Sequence, residues 1–291
     1  MPTATRTRRP ATPTLLIPLR LVGALLTGTS ARAALFDNDP PLDAFDPQGA
    51  PEGAVDPDHS DWSAFLQRHV VTDDPSGVNL VRYREVDAGE RAVLDAYLQR
   101  LQAIAPMTLT RDAQMAYWIN LYNALTVELI LDNPDVDSIR EIKSGRVSIG
   151  PWSREVAEVA GHTLTLNDIK NRILRPLFAD PRIHFAVNCA SIGCPDLAPE
   201  AWTADNLETL LEAGARGYIN HPRGVRLDGD RRGERLQLSS IFGWYRGDFP
   251  DGRAAFLEWL AGYAEPELAQ RLRGYDGRIR HAYDWSLNSA D

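Results

Sequence analysis

Only two cysteines and three methionines occur in this 291-residue chain, so any thiol chemistry or disulfide bond must come from Cys189 and Cys194. No stretch after the amino terminus approaches the ~20 apolar residues that span a bilayer. There is no low-complexity tract and no internal repeat. A Gly-rich phosphate loop, a Walker pattern and a Gly-x-Ser-x-Gly elbow are all missing, which argues against nucleotide binding and against a standard serine hydrolase. A basic stripe is missing too. The formal charge is −9, and it becomes −14 once the first 33 residues are set aside, because Arg6, Arg8, Arg9, Arg20 and Arg32 lie there without an acid. Such a surface repels phosphate backbones. Nucleic acid is therefore excluded as a partner; an unidentified small molecule or protein, neutral or cationic, fits better.

What remains is ordinary globular composition, 44% hydrophobic and 24% charged, in a chain long enough to bury a substantial core. Met1 to Pro10 is basic, Leu15 to Leu26 is mostly apolar, and Ala31-Arg32-Ala33 has the small-x-small form of a cleavage site. Residues 1–33 are thus expected to be a signal peptide, with the mature protein periplasmic or secreted. Residues 34–61 are crowded with Asp and Pro and are expected to form an acidic linker. A single α+β domain is expected over 62–291.

Within that domain the patterning predicts helices over Trp62–Val71, Ala88–Ile104 and Asp112–Leu131. The last of these is the most apolar, is capped by Thr110, is stopped by Asn133-Pro134 and is expected to be central. Strand character is expected over Val78–Val86, and a hairpin turns at Gly161. Thr165 and Asp168 resemble a helix-opening box with Asp in place of Glu. Further expectations are a buried strand over Arg182–Val187, a helix capped by Thr203, a hairpin across Asp228-Gly229-Asp230, two helices over Gly252–Tyr263 and Glu267–Arg273, and a closing strand over Ile279–Trp285. Helices packed on antiparallel hairpins, segregated and not alternating, indicate α+β.

Two segments could carry chemistry. In Tyr117-Trp-Ile-Asn-Leu-Tyr-Asn-Ala124, Asn120 and Asn123 lie three apart on one face of an otherwise apolar helix. Leaving such amides unpartnered costs roughly 1–3 kcal/mol, so they either fasten a neighbouring loop or orient a ligand or reacting group. In His184-Phe-Ala-Val-Asn-Cys-Ala-Ser-Ile-Gly-Cys-Pro195, an extended run puts His184, Ala186 and Asn188 on one face and Cys189 on the other. A return through Gly193 would bring Cys194 to the histidine side and permit a thiolate–imidazolium pair. Three readings of the cysteines stay open: a Cys189–Cys194 disulfide, a reactive thiol, and two buried free thiols. The spacing is not that of a zinc site, and no metal or cofactor is expected. Asp248 sits beside the aromatics of Ser239–Asp248 in what reads as a core-forming turn, which could also carry it to His184.

These segments, with Leu164-Thr-Leu-Asn-Asp-Ile169 and Tyr283-Asp-Trp-Ser-Leu-Asn288, resemble domain-of-unknown-function family 547 in ordered blocks over roughly 78–288. The resemblance implies a domain of bacteria and plants with no established activity. A looser similarity is to papain- and transglutaminase-like folds, where a cysteine opens a helix and a histidine lies on a strand. Here the corresponding helix holds Asn120 and Asn123 and no cysteine. Either the chemistry has moved to Cys189 or Cys194, or the fold is kept without it. Two functions follow. One is an envelope binding or scaffold module with a polar site around His184. The alternative is a thiol-dependent hydrolase or transferase acting on an amide or thioester, with Cys194 or Cys189 as nucleophile, His184 as base, and Asn120, Asn123 or Asn188 orienting. Whether the protein is an enzyme stays open at this point.

Overall fold

Helix α3, Arg111–Leu131, is buried on every side from Ala113 to Val127 and forms the axis of a computed structural model. A helix apolar all round has no solvent face, so it can be stable only inside a shell of other elements. The structure describes residues 1, 40–47, 56–143, 145, 149–229, 233 and 235–290. Except for Met1, the expected signal segment lies outside the described residues, as do 34–39 and 48–55 of the expected linker.

The shell is assembled from α1 (Ser60–His69), α2 (Ala88–Gln102) and a π-helix over Asp168–Phe178. Helix α2 opens on a reciprocal box: Asp87 accepts the Glu90 N–H and Glu90 accepts the Asp87 N–H. Helix α3 begins where the Thr110 hydroxyl accepts the Ala113 N–H. The strands are short. β1 (Val70–Val71) pairs with β2 (Leu80–Val81), and β3 (Glu155–Val159) pairs with β4 (His162–Thr165) through a turn at Ala160 and Gly161. Both turn residues have positive φ, as a two-residue hairpin of matching twist requires.

A second apolar cluster gathers around Phe242 and Phe256. It is built by α4 (Leu207–Asn220), α5 (Ser240–Trp244), α6 (Arg253–Tyr263), α7 (Pro266–Arg273) and a three-stranded sheet. In that sheet β5 (Val225–Asp228) runs antiparallel to β6 (Arg235–Ser239), and β7 (Ile279–Ala282) joins β6 in parallel. The architecture is α+β, as expected; among the described residues β7 is the one strand that does not belong to an antiparallel pair.

The helix expected to be capped by Thr203 starts at Leu207 after Asn206, and the closing strand ends at Ala282; four larger expectations also need correction. Arg182–Val187 is not a strand: Asp180 accepts the Arg182 N–H, Pro181 opens the turn, and Pro181–Phe185 is a 3-10 helix. A short apolar run does not distinguish strand from buried helix by period, and Asp-Pro is a helix-start signal that outweighs it. In Val78–Val86 only β2 is extended, and Tyr83–Glu85 is 3-10 helical. The helix after Thr165 does open on the expected box, Thr165 and Asp168 each accepting the other's N–H, but it winds as a π-helix and runs to Phe178. Finally, residues 40–47 of the expected linker dock on the body. Phe45 is 1% exposed and stands edge-on to Trp118, with ring centroids 5.0 Å apart. Its carbonyl accepts from Gln114, and the Leu42 N–H donates to the Arg172 carbonyl. One large aromatic suffices to hold a polar strap that could not bury itself.

Candidate functional site

Two asparagines of α3 act as amide clamps on loop backbone. Asn120 donates to the Trp202 carbonyl at 2.7 Å and accepts the Trp202 N–H at 3.0 Å. Asn123 does the same one turn on: it donates to the Ala186 carbonyl at 2.9 Å and accepts the Asn188 N–H at 2.8 Å. Asn188 continues the chain of bonds, donating to the Pro195 carbonyl and accepting the Ala190 N–H, both at 2.7 Å. That last bond is an Asx turn, and it carries Ala190 into the left-handed region at φ +55°. Cys189 is thereby held between a clamped residue and a strained one.

The carboxyl-terminal segment closes over this loop. The Ile192 and Gly193 N–H groups donate to the Ser286 and Asp284 carbonyls, each at 2.8 Å. A side chain at Gly193 would place its Cβ 2.7 Å from the Asp284 carbonyl oxygen, so only glycine allows the crossing. The Tyr218 hydroxyl donates to the Gly193 carbonyl at 2.6 Å from beneath. These contacts bring Tyr283 onto Cys189.

Cys189 is half-buried as a residue, and its sulfur faces three donors. The Tyr283 hydroxyl lies 3.0 Å away, the Ser191 hydroxyl 3.3 Å, and the Cys194 thiol also donates to it. Ser191 and Tyr283 are themselves 3.0 Å apart. Burial alone would push the Cys189 thiol up. The three hydrogen bonds, with the charge of Lys170, overcome that and lower its pKa to about 6. Cys194 is 3% exposed, and its sulfur accepts the Cys189 N–H at 2.9 Å. Burial, and then its bond to Cys189, push it well above the usual thiol range. Burial and the neighbouring Cys189 likewise keep the Tyr283 phenol protonated, which makes it a donor. Both cysteines are free thiols in this structure, which leaves out the bridged one of the three readings. Beside Tyr283, the half-buried rings of Trp244 and Trp285 lie 4.9 and 4.5 Å away, and Trp152 follows at 5.6 Å from Trp285.

His184 belongs to a neighbouring cluster. Its Nε2 lies 2.6 Å from Asp248 Oδ2, and Asp248 is gripped by Arg175 at 2.6 and 2.8 Å. The imidazole is 1% exposed and stacks on Tyr245 with centroids 4.3 Å apart. Burial, reinforced by the charges of Lys170 and Arg175, outweighs the attraction of Asp248 and lowers the histidine to about 4. The contact is therefore a neutral ring donating Nε2–H to a carboxylate, not an ion pair. Asp248 is held well below the usual carboxylate range by its hydrogen bonds to His184 and Arg175, against the opposing effect of burial. The neutral Nδ1 is buried without a hydrogen-bond partner. Neither ring nitrogen bonds a sulfur.

Lys170 ties the two clusters together. Its ammonium lies 4.5 Å from the Tyr245 ring centroid, and the Arg175 guanidinium lies at 4.6 Å over the same ring. In an α-helix, residues five apart would diverge by about 140°. The i→i+5 winding of the π-helix brings them into line, which is why both cations reach one tyrosine.

Of the residues singled out in the sequence, Asn123, Asn188, Cys189 and Cys194 are brought together. Asn120 holds a different loop, and His184 faces Asp248. Sequence reasoning missed Tyr283, Ser191, Lys170 and Arg175 as members. Ser191 lay inside the motif; the lysine and arginine were masked by an assumed α-helical period. Among the described residues, no group of three or more His, Cys, Asp or Glu could hold a metal ion, and no helix is long and apolar enough to cross a membrane.

Residues 106–219 match the family described as "Protein of unknown function, DUF547". That span is narrower than the stretch over which the resemblance was traced. It contains α3, the π-helix, His184, both cysteines and α4, but not Asp248 or Tyr283, so this uncharacterised family segment carries most of the site and not all of it. No curated protein and no solved structure matches the chain.

Proposed function

We propose that the protein is a thiol-dependent enzyme in which Cys189 attacks the acyl carbon of a thioester. One observation carries the reading: the sulfur of half-buried Cys189, inside the segment that matches DUF547, meets three donors and is poised as a thiolate near neutral pH. The nucleophile is Cys189 and not Cys194, because Cys194 is buried and keeps its proton.

The surroundings favour a thioester over an amide. Expelling an amine requires a proton donor at the leaving group, and His184 is engaged with Asp248 and bonds neither sulfur. A thiolate leaves without protonation. In the reaction the Cys189 sulfur bonds the acyl carbon, the carbonyl electrons move to oxygen, and their return expels the substrate thiolate to leave an acyl-Cys189. The Ser191 and Tyr283 hydroxyls are the donors beside the developing charge.

Export to the periplasm or the medium belongs to the same proposal, supported by the basic start, the apolar run and Ala31-Arg32-Ala33. A second reading, an envelope binding or scaffold module with its polar site around His184, is favoured by one observation: the histidine supports a carboxylate and not a sulfur. The experiment is incubation of the full chain with an aryl thioester, followed by peptide mass mapping. An acyl adduct on Cys189 that survives Cys194→Ala and vanishes with Cys189→Ala is expected. Turnover indifferent to Cys189→Ala would remove the enzyme reading.

A further inference from the structure

We propose that Cys189 and Cys194 also work as an attacking and a resolving thiol in exchange with a substrate disulfide; the proposal rests on Cys189 being the nucleophile. The two sulfurs are already neighbours. Cys194 donates its thiol proton to Cys189, while the Cys189 N–H donates to the Cys194 sulfur at 2.9 Å. The two residues differ in burial in the sense such a pair needs, the attacking Cys189 half-buried and the resolving Cys194 3% exposed. The turn that returns the chain is fixed at both ends, by the clamp on Asn188 with left-handed Ala190 and by the Cys194 N–H donating to the Ser191 carbonyl at 2.9 Å.

Disulfide exchange develops its charge on sulfur, where the Ser191 and Tyr283 hydroxyls already lie.

The step balances as follows. The Cys189 thiolate bonds one sulfur of the substrate disulfide, and the other sulfur leaves as a thiolate. Capping Cys189 removes the negative charge that holds the proton on Cys194. Cys194 then attacks the Cys189 sulfur, its proton passes to the second departing thiolate, and a Cys189–Cys194 disulfide remains. The substrate disulfide is reduced by two electrons to a thiolate, which takes its proton from water, and a thiol, and the cysteine pair is oxidised by the same two electrons.

The test uses the reduced full chain and glutathione disulfide as probe at neutral pH, with acid quenching, alkylation and intact mass. Wild type is expected to pass to the internal disulfide with release of two glutathiones. Cys194→Ser is expected to stop at a single glutathione adduct on Cys189, and Cys189→Ser to react at less than about a tenth of the wild-type rate. Reduced glutathione at millimolar concentration is expected to reopen the wild-type bridge. A wild type that stops at the same adduct as Cys194→Ser would overturn this inference and leave the nucleophile intact. A bridge that millimolar glutathione does not reopen would also overturn it, marking an inert structural disulfide. A Cys189 that neither forms an adduct nor alkylates below pH 8 would sink both proposals.

Discussion

Replacing Tyr283 by Phe removes one hydroxyl from the Cys189 sulfur and leaves the aromatic ring among its tryptophan neighbours. A hydrogen bond to a charged acceptor contributes roughly 1.5–3 kcal/mol. At 1.36 kcal/mol per pKa unit, its loss raises the thiol by about 1–2 units. The Ser191 and Cys194 donors stay on the sulfur and hold the result toward the lower end. The midpoint of Cys189 alkylation is therefore expected to move from about 6 to about 7–8. A more basic thiolate is also a better nucleophile, with a Brønsted slope of about 0.4–0.5, so the high-pH plateau should rise about 3- to 10-fold. The two profiles should cross: the variant slower at pH 6, faster at pH 9. Iodoacetamide rates from pH 5 to 9, read on the Cys189 peptide, give both quantities. A fall in rate at every pH with an unmoved midpoint would refute the reasoning, because it would mean that Tyr283 controls access and not charge.

Four further outcomes are expected. Asp248→Asn deprives the Arg175 guanidinium, whose side chain is 7% exposed, of its bidentate carboxylate, and should cost about 3–5 kcal/mol in urea unfolding. Stability should fall as pH drops from about 6.5 toward 4. His184 and His59, both lowered to about 4 chiefly by burial, stay neutral in the fold while the unfolded chain takes up protons. Each contributes on the order of 3 kcal/mol over that window, measurable by denaturation at graded pH. Asn120→Ala and Asn123→Ala each strand a buried carbonyl and a buried N–H and should cost roughly 2–5 kcal/mol. Only the second should also change the Cys189 alkylation rate, since only Asn123 clamps that loop. Phe45→Ala should cost about 3–5 kcal/mol and expose residues 40–47 to limited proteolysis.

The parts legible from sequence were those whose signal is local. Thr110, and Thr165 with Asp168, announced helix starts that the structure keeps, and the turns at Gly161 and Gly229 announced hairpins. Asn120 and Asn123 stood out because amides in an apolar helix must be paired, and both are. What failed was period and partnership. Apolar spacing gave no sign that Pro181–Phe185 would coil, nor that the π-helix would align Lys170 with Arg175. His184 and the cysteines are close in sequence, which suggested a pair. Yet each took its partner from far along the chain: Asp248 for the histidine, which its place in the aromatic turn had offered as one reading, and Tyr283 for Cys189, which no local pattern encodes. Phe45 was lost in an acidic, Pro-rich stretch whose composition hides a single anchor.

The central claim is that Cys189, and not Cys194, is the reactive thiol. The measurement that tests it most directly is competitive labelling of the reduced full chain with substoichiometric iodoacetamide at pH 7, the label then being counted on each cysteine by peptide mapping. The account requires the label almost wholly on Cys189, with Cys194 modified only after denaturation. Equal labelling, preference for Cys194, or no labelling of either until pH 8 and above would contradict it.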